Sequence, residues 1–579
     1  MTARLDDKAL DTNNKPATVA EAFLQVLKAR GVDYLYVGAG TDTVSLIEAY
    51  ARAPESGLAF PTPVVSAHEN LAVGMAHGYY MVSGKAQAVM LHVSVGAANA
   101  VCGIMNAARS QVPMLFMAGR TPLFEKGQHG ARDNTIHWGQ EMFDQAGMVR
   151  EFVKWDYELR DGCNMTDLVD RALGIASAAP AGPVYLTLPR EVLARDAQQH
   201  KVPAMPARAS EPYPDPAAVR QLASALMRAE LPVIVCTGSG ADPSTVALLV
   251  QLADRFGIAV AESKPRFVNF PTSHALHAGF DVNTVLARAD ALLFLEADVP
   301  WLPGQAQPLP EAYIAHAASA PLFDRYPVRS FPSNLTLTSS IRALLPALIT
   351  ALDELGAAEG KPARLARTTA FARDAHDAIA ARAHKDEEGG GAITKLFLTR
   401  CLDQVRDDDT ILVNEYSAMR EQMTFDQPGT FFLHPNAGGL GWGLPAALGA
   451  QQAAPGRTVI AVVGDGAYIF ANPSACHQAC AMHGLPVLTV VYNNGGWDAV
   501  EKSTLMMYPD THAYRHAKRH GHAPLSSLSP LPDFERYTEA SGGYGERVTS
   551  REQLLPALRR ALKVVQTEKR QALLNVIGI

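Results

Sequence analysis

The chain is 579 residues long, with 48% hydrophobic residues, 19% charged residues and a formal net charge of −7 at pH 7. This composition is typical of a globular protein with three or four domains. It argues against a protein that binds nucleic acid through a basic surface, and no apolar run approaches the ~18 residues of a membrane-spanning helix.

Residues 1–16 form a polar tail without the apolar segment of a signal peptide. The six cysteines are scattered and mostly lie in apolar surroundings, which favours buried, reduced thiols over a disulfide framework. We therefore expect a cytoplasmic protein with neither a nucleic-acid nor a membrane partner. The cysteines are Cys102, Cys163, Cys236, Cys401, Cys476 and Cys480.

Residues 17–195 alternate apolar runs with amphipathic stretches, which predicts a parallel sheet covered by helices. The predicted strands are Tyr34–Val37, Val64–Ala67, Ala88–Val93, Met114–Ala118 and Pro183–Pro189. The predicted helices between them include Thr43–Arg52, Leu71–Val82 and Ala97–Arg109.

A linker, residues 196–216, leads to a second α/β block, residues 217–355, and a partly helical linker, residues 356–391, follows it. The predicted elements of this block are a helix from Ala217 to Arg228, strands Pro232–Cys236, Ile258–Ala261 and Ala291–Glu296, and a helix after Pro243. Thr237-Gly238-Ser239-Gly240 is similar to a nucleotide-binding loop. A lone glycine loop is weak evidence, so we favour a structural role for it.

The third block, residues 392–579, has two predicted strands, Thr458–Val463 and Pro486–Tyr492, with a helix over Pro473–His483 between them. Cys476 and Cys480 share a face of that helix, which we interpret as packing because zinc-site spacing is missing. Residues 506–532 are polar and contain a histidine-rich stretch, 512–522, whose role the sequence leaves open. We expect a solvated loop there, with an active-site lid as the alternative.

Polar residues follow both strands of the third block. Gly464-Asp465-Gly466 ends the first strand, and Asn493-Asn494 ends the second, with 26 residues between the two motifs. Such residues meet at one edge of a parallel sheet, where α/β proteins bind ligands. Carboxylate and amide oxygens suit Mg²⁺, and glycines allow a diphosphate to approach the backbone. Gly-Asp-Gly alone is common in turns, but the double asparagine at this distance favours a metal site.

This spacing resembles the thiamine diphosphate (ThDP) signature of the pyruvate decarboxylase and acetolactate synthase superfamily. The resemblance implies three consecutive doubly wound α/β domains with mostly parallel sheets: a pyrimidine-binding domain (17–195), a central domain (217–355) and a diphosphate-binding domain (392–579). It also implies ThDP and Mg²⁺ as cofactors. FAD, which the central domain of some relatives binds, is not supported by the sequence.

Shorter segments of the first and third blocks are similar to benzoylformate decarboxylases in particular. They are Leu91-His92-Val93-Ser94, Val153-Lys154-Trp155, Gly182-Pro183-Val184-Tyr185-Leu186, Gly438-Gly439-Leu440-Gly441 and Leu444-Pro445-Ala446-Ala447. The second active-site histidine of that family has no convincing counterpart, because His274, His277 and His316 do not fit. The substrate therefore cannot be transferred from the resemblance.

The resemblance implies a role for each candidate residue. Glu69 would bind the pyrimidine ring of the cofactor, and His92 and Thr41 would complete the catalytic set. The expected metal ligands are Asp465, Asn494 and the carbonyl group of Gly496. The residues expected at the cofactor are Glu69, Asn414, Ser417, Gly438, Leu440, Gly464, Gly466, Ala467 and Asn494.

Three of these residues also have ordinary structural explanations. Glu69 could stabilise the first turn of a helix, Leu440 could be a core residue, and His92 could be a core histidine inside an apolar strand. Near a 2-oxo acid, however, His92 could hold or relay a proton, since the unperturbed pKa of histidine is close to neutrality.

We therefore expect a ThDP- and Mg²⁺-dependent C–C lyase or carboligase that acts on small 2-oxo acids, with benzoylformate-decarboxylase-like decarboxylation favoured. The alternatives are an acetolactate-synthase-like carboligase, a 2-hydroxyacyl-CoA lyase or oxalyl-CoA-type decarboxylase, and a non-catalytic cofactor-binding subunit. The resemblance implies an active site shared between subunits. We thus expect at least a homodimer and favour a homotetramer.

Overall fold

The computed structural model describes residues 15–197, 202–356 and 361–579. Within these residues the chain forms three parallel β-sheets flanked by helices, which confirms the predicted fold class. The chain divides into two compact units. One unit ends at Ala209 and includes the short segment Asn436–Gly439, and the other contains the remainder.

The first sheet has the strand order β2-β1-β3-β4-β6-β5, and every pair is parallel. The order reverses between β1 and β3, which is where open α/β sheets bind ligands. The strands are β1 Tyr34–Val37, β2 Thr62–Val65, β3 Gln87–Leu91, β4 Met114–Arg120, β5 Asp156–Glu158 and β6 Pro183–Pro189. The helices are α1 Val19–Ala29, α2 Val44–Ser56, α3 Glu69–Ser83, α4 Val93–Asn99, α5 Val101–Arg109, α6 Ile136–Gly139, α7 Met165–Ser177 and α8 Arg190–Leu193.

The second sheet has the order β11-β10-β9-β7-β8 and is also parallel. Apolar residues are buried on both of its faces, which explains why its strands read as continuous apolar runs. The strands are β7 Pro232–Cys236, β8 Ala259–Glu262, β9 Ala291–Leu295, β10 Tyr313–Ala318 and β11 Leu335–Thr338. The helices are α9 Pro216–Arg228, α10 Ser244–Phe256, α11 Val282–Arg288, α12 Ile341–Glu354 and α13 Lys361–Gly389.

The third sheet has the order β13-β12-β14-β15-β17-β16, again parallel, and reverses between β12 and β14. The strands are β12 Ile411–Glu415, β13 Phe431–Leu433, β14 Val459–Gly464, β15 Val487–Asn493, β16 Tyr544–Val548 and β17 Ala572–Ile577. The helices are α14 Lys395–Val405, α15 Gly443–Ala453, α16 Asp465–Phe470, α17 Pro473–His483, α18 Asp498–Met507, α19 His512–His520, α20 Phe534–Ala540 and α21 Arg551–Lys563.

Several predicted elements differ from the observed ones. The predicted helix Ala97–Arg109 is two helices, α4 and α5, which meet at Ala100. The linker 356–391, by contrast, was predicted to be partly helical, and it does contain the 29-residue helix α13. The prediction of a loop over residues 506–532 was wrong at α19, which is regular and exposed. None of the residues of α19 is buried, so this helix needs no apolar face. Its sequence therefore has the polar composition that is typical of a loop.

All six cysteines lie among the described residues, none forms a disulfide, and four of them are buried. Cys102 and Cys163 are exposed, which departs from the expectation of buried thiols for these two residues. On α17, Cys476 and Cys480 are both buried, and His477 between them lies 2.8 Å from the hydroxyl of Tyr468. Among the described residues, no helix is both long and apolar enough to cross a membrane.

Candidate active site

The ends of β14 and β15 are joined through the carboxylate of Asp465. Asp465 begins α16 and is only 3% exposed. Its Oδ2 accepts hydrogen bonds from the backbone N–H groups of Gly495 at 2.8 Å and Gly496 at 3.2 Å, and its Oδ1 accepts from Gly466 N–H at 2.7 Å. One side chain therefore holds both loops of the Gly-Asp-Gly and Asn-Asn motifs.

The side-chain amide of Asn494 faces two oxygen atoms, Oδ2 of Asp465 and the carbonyl oxygen of Gly496. Oδ1 of Asn494 lies 3.3 Å from Oδ2 of Asp465 and 3.0 Å from the carbonyl oxygen of Gly496. Without a cation, the hydrogen bonding favours the amide turned by 180°, in which the NH₂ group donates to both oxygens. In the other orientation all three atoms are acceptors, which a cation would hold together. A separation of ~3 Å is also that of neighbouring ligands around an octahedral Mg²⁺ with bonds of about 2.1 Å. The donor set and its spacing thus fit Mg²⁺.

Burial affects the charge of this site. It raises the pKa of the Asp465 carboxyl, although the surrounding backbone N–H groups lower that pKa. A divalent cation beside the carboxylate would favour its ionised form. Cation binding would therefore relieve an unfavourable buried charge.

The two glycines of Gly464-Asp465-Gly466 have different surroundings. A Cβ atom built on Gly466 would lie 2.2 Å from the ring of Trp497, whereas one built on Gly464 would meet its nearest atom, Oγ of Ser417, at 3.5 Å. The Trp497 ring therefore leaves no room for a side chain at position 466, and only glycine fits there without a movement of the ring. Ala467, the next residue of α16, is buried.

The end of β12 supplies Asn414 and Ser417, which we expected near the phosphates. Oδ1 of Asn414 accepts from the N–H groups of Ser417 at 3.2 Å and Ala418 at 2.8 Å, and its Nδ2 donates to the carbonyl of Ala418 at 2.8 Å. Asn414 therefore shapes the turn after β12. A phosphate contact of Asn414 and Ser417 stays a prediction.

Glu415, the last residue of β12, has a structural role that the sequence did not reveal. Its Oε1 accepts from Gly441 N–H at 2.9 Å and Trp442 N–H at 3.3 Å, and its Oε2 accepts from Gly443 N–H at 2.7 Å. Burial raises the pKa of Glu415 to about 7, although these three N–H groups lower it. Glu415 thereby anchors the backbone that directly follows Leu440, which is half-buried.

Gly438 and Gly439 belong to the unit that contains the first sheet. Gly438 has a φ of 65°, which favours glycine. Gly439 donates its N–H to Oδ1 of Asn106 at 3.1 Å and accepts from Nδ2 of Asn106 at 2.8 Å. A Cβ on Gly439 would lie 2.6 Å from Sγ of Cys102, so the segment packs tightly against α5.

The segment after the metal loop is held by Trp497 and Glu501. Trp497 N–H donates to the carbonyl of Ser526 at 2.7 Å, and the Ser526 hydroxyl donates to Oε2 of Glu501 at 3.0 Å. Oε2 of Glu501 also lies 3.4 Å from Nδ1 of His522. These contacts fasten the end of the histidine-rich stretch to the start of α18.

In the first unit, Glu69 is the first residue of α3 and follows β2. Its Oε2 accepts a hydrogen bond from Nδ2 of Asn99 at 2.5 Å. The side chain that caps α3 is instead His68, whose Nδ1 accepts from Asn70 N–H at 3.3 Å. Glu69 nevertheless lies in the first turn of α3, where an acidic side chain stabilises the helix, so the structural explanation stands beside the catalytic one.

Thr41 and His92 follow β1 and β3, on either side of the point where the strand order reverses. Thr41 is exposed, and its carbonyl accepts from Nη1 of Arg190 at 3.3 Å. The next residue, Asp42, is only 2% exposed, and its Oδ1 lies 2.5 Å from Nδ1 of His92. Asp42 was missed because it is 50 residues away from His92. The adjacency of β1 and β3 is the only signal that could have indicated it.

His92 lies at the sheet edge with 20% of its side chain exposed. The hydrogen bond with Asp42 raises the pKa of His92, burial lowers it, and the negative charges of Asp42 and Glu69 raise it further, with a net upward shift. His92 is therefore a partly accessible group with a raised pKa and not a histidine enclosed by the core.

Two family models match the chain. "Thiamine pyrophosphate enzyme, N-terminal TPP binding domain" matches residues 17–148, and "Thiamine pyrophosphate enzyme, C-terminal TPP binding domain" matches residues 415–576. Together they cover just over half of the chain. The first contains the candidate residues of the first sheet, and the second contains the metal motif.

The chain is also similar to complete proteins. It is 26% identical over 571 residues to a benzoylformate decarboxylase of Pseudomonas aeruginosa (94% of this chain and 96% of the relative). It is 22% identical over 572 residues to the acetolactate synthase large subunit of Haemophilus influenzae (95% and 93%). The solved structure of a thiamine diphosphate-dependent 4-hydroxybenzoylformate decarboxylase of Rhodococcus jostii RHA1 superposes with a TM-score of 0.76 at 23% identity (97% and 99%), which shows the same fold.

Proposed function

Since the chain belongs to the thiamine pyrophosphate enzyme family, we propose that it is a ThDP- and Mg²⁺-dependent 2-oxo acid decarboxylase of the benzoylformate decarboxylase type. The observation that carries this proposal is the convergence of the Asp465 carboxylate, the Asn494 amide and the Gly496 carbonyl. The pair of Asp42 and His92 at the edge of the first sheet adds a proton donor.

The proposed roles divide between binding and proton transfer. Asp465, Asn494 and the Gly496 carbonyl would hold Mg²⁺ against the diphosphate, and Gly464 and Gly466 would keep the backbone open to it. Glu69 would hold the pyrimidine ring by a hydrogen bond. When bound, ThDP supplies an electron sink for the electron pair left on the substrate as carbon dioxide departs.

Decarboxylation is favoured over carboligation because it needs a proton at the reacting carbon. The hydrogen bond to Asp42 raises the pKa of His92 above its ordinary value of 6.5, which extends the pH range in which His92 can donate a proton. The similarity to an acetolactate synthase keeps carboligation as the second candidate. In that case the same carbon would attack an aldehyde or ketone instead of taking the proton.

A CoA-dependent reaction has less support. A Cβ on Gly240 would lie 2.2 Å from the carbonyl oxygen of Val268, and the Gly240 N–H donates to Oδ1 of Asn269 at 2.8 Å. The Ser239 hydroxyl also donates to Oδ1 of Asn269, at 3.1 Å. The polar groups of the glycine loop are thus engaged by its own chain, which favours the structural role over binding of ADP or FAD.

The deciding experiment is a product screen with ThDP and Mg²⁺. Pyruvate, benzoylformate and branched 2-oxo acids are each supplied with and without an added aldehyde, and carbon dioxide and organic products are measured. We expect aldehyde release that stops with EDTA. Hydroxyketone as the main product would favour carboligation, and bound cofactor without turnover of any acid would favour a non-catalytic subunit.

We also propose that the chain acts as a homodimer or homotetramer, as the family resemblance implies. Light scattering coupled to size-exclusion chromatography tests this directly. A monomer that retains full activity would contradict a site shared between subunits.

A further inference from the structure

The carboxylate of Asp42 is held from two directions. Its Oδ1 lies 2.5 Å from Nδ1 of His92, and its Oδ2 accepts from the backbone N–H of Val93 at 3.2 Å. An acceptor this close to Nδ1 keeps a proton on that nitrogen. The other ring nitrogen, Nε2, is then the one that can exchange a proton with a ligand.

Two glycines leave room for the side chains of Asp42 and His92. A Cβ on Gly119 would lie 1.8 Å from Oδ2 of Asp42, and one on Gly40 would lie 2.1 Å from Nδ1 of His92. Val93 has a φ of 31°, a strained value for a β-branched residue. Strain of this kind persists where the surrounding structure imposes it, and here the Val93 N–H is directed at Asp42.

Gln140 completes the arrangement at Nε2. Its Nε2 lies 3.3 Å from Nε2 of His92, so the amide donates to the neutral imidazole. The amide oxygen Oε1 of Gln140 is buried and has no hydrogen-bond partner among the described residues. A 180° turn of the amide would bring that oxygen to Nε2, where it could accept from a protonated imidazole.

We propose that Asp42 and Gln140 are positioning residues for proton transfer by His92: Asp42 keeps the proton on Nδ1, and the Gln140 amide turns to follow the proton on Nε2. This inference rests on the proposed decarboxylation. Both residues act through His92 and need not touch the substrate.

The proton balance is simple. A 2-oxo acid anion loses carbon dioxide, and the carbon that bore the carboxylate takes one proton. That proton leaves Nε2 of His92, after which Gln140 donates to the neutral ring. Water returns one proton to Nε2, and the amide turns back. No oxidant or second substrate is needed.

Other titratable groups also face His92. Glu69 on α3 raises the pKa of His92, as Asp42 does. His137 on α6 interacts with His92 through its charge, and burial lowers the pKa of His137. Any titration must therefore be assigned to His92 itself.

The titration is measured on the cofactor-free protein by hydrogen–deuterium exchange at the imidazole C2 position, resolved by mass spectrometry for each histidine. Asp42→Asn keeps the shape and removes the charge, so the His92 midpoint should fall by about 1 pH unit or more. Asp254→Asn is the matched control, because Asp254 lies 3.2 Å from another histidine, His274. An unchanged His92 midpoint in folded Asp42→Asn would overturn the role of Asp42.

Gln140→Glu keeps the inference testable if Asp42→Asn does not fold. A fixed acceptor beside Nε2 should raise the His92 midpoint, and an unchanged midpoint would overturn the role of Gln140.

In the loaded enzyme, the alkaline limb of kcat/KM should move to lower pH in Asp42→Asn, because the protonated form of His92 is then lost earlier. A limb that does not move in an active variant overturns the inference. A protein that decarboxylates no 2-oxo acid refutes the proposed function instead, while the shift in the cofactor-free titration still reports on the pair.

Discussion

Oε2 of Glu415 accepts a hydrogen bond from the backbone N–H of Gly443 at 2.7 Å, and this contact joins the end of β12 to the start of α15. Oε1 of the same carboxylate accepts from Gly441 N–H at 2.9 Å. The carboxylate therefore fixes the chain immediately after Leu440, the residue expected to lie under the bend of the cofactor. A buried acid in the third block thus fixes the backbone next to a residue that we propose to contact the cofactor.

This buried acid should make local stability depend on pH. The pKa of Glu415 is about 7 in the folded chain and 4.5 ordinarily. Below pH 4.5 both folded and unfolded chains hold the proton, and between about 4.5 and 7 only the folded chain does. The stabilisation from this group is therefore full below about 4.5 and is lost as the pH rises to about 7, by on the order of 2–3 kcal/mol.

Glu415→Gln cannot titrate, so its melting temperature relative to the wild type should rise between pH 4.5 and 7.5 in the cofactor-free protein. Backbone hydrogen exchange over residues 438–446 should show the same trend locally. Glu421→Gln, which removes the charge of a partly exposed glutamate, is the control for the loss of a carboxylate. A constant difference between Glu415→Gln and wild type at all pH values would contradict the prediction.

The sequence predicted the elements that carry the strand-end motifs well. The helix Pro473–His483 is confirmed at both ends, because Pro473 marks its first turn and Gly484, at a φ of 61°, terminates it. The strands before Asp465 and Asn494 are shifted by a single residue from the prediction. Local patterns of buried apolar residues and of turn residues determine such elements.

Long-range partners could not be predicted in the same way. The pairing of Asp42 with His92 depends on β1 and β3 being neighbours and on the space at Gly119. The partners of Glu415 are backbone N–H groups more than 20 residues away, and any residue could provide them. No local periodicity carries information of this kind.

A second prediction compares the two glycines of the metal loop. Gly466→Ala would place a methyl group 2.2 Å from the Trp497 ring, so the ring must move at a cost of about 1–3 kcal/mol. Gly464→Ala is the matched control, since its methyl group would be 3.5 Å from the nearest atom and its φ of −78° suits alanine. We expect Gly466→Ala to alter the tryptophan fluorescence of the cofactor-free protein and also to weaken ThDP binding. Gly464→Ala should leave the fluorescence of the cofactor-free protein unchanged. Equal behaviour of the two variants would count against the ring contact.

A third prediction concerns the metal ligands. Asp465→Asn should reduce the affinity for Mg²⁺ by more than the ~10–100-fold typical of residues outside the ligand set. The affinity for ThDP should fall with it, because the cation links the diphosphate to the protein. Quenching of the intrinsic tryptophan fluorescence by ThDP, titrated at several Mg²⁺ concentrations, measures both affinities.

Asp498→Asn is the control for that experiment. Asp498 lies four residues beyond Asn494, but its carboxylate binds Lys395 at 3.1 Å and Lys502 at 2.8 Å. We expect its Mg²⁺ dependence to match that of the wild type. If Asp465→Asn also kept the wild-type Mg²⁺ dependence, Asp465 would not be a ligand.

The last prediction separates a catalytic role of Glu69 from a structural one. Glu69→Gln can still accept the hydrogen bond from Asn99, and His68 still caps α3, so the fold and ThDP affinity should change little. The loss of the carboxylate should nevertheless lower kcat by about 10²–10⁴-fold, because a positioned acid–base group contributes that much. Slower hydrogen–deuterium exchange at C2 of the bound cofactor, measured by NMR after acid quench, should accompany the loss. Glu48→Gln, on the exposed face of α2, controls for a change of charge. Wild-type exchange in Glu69→Gln would leave Glu69 with its contact to Asn99 as its only role.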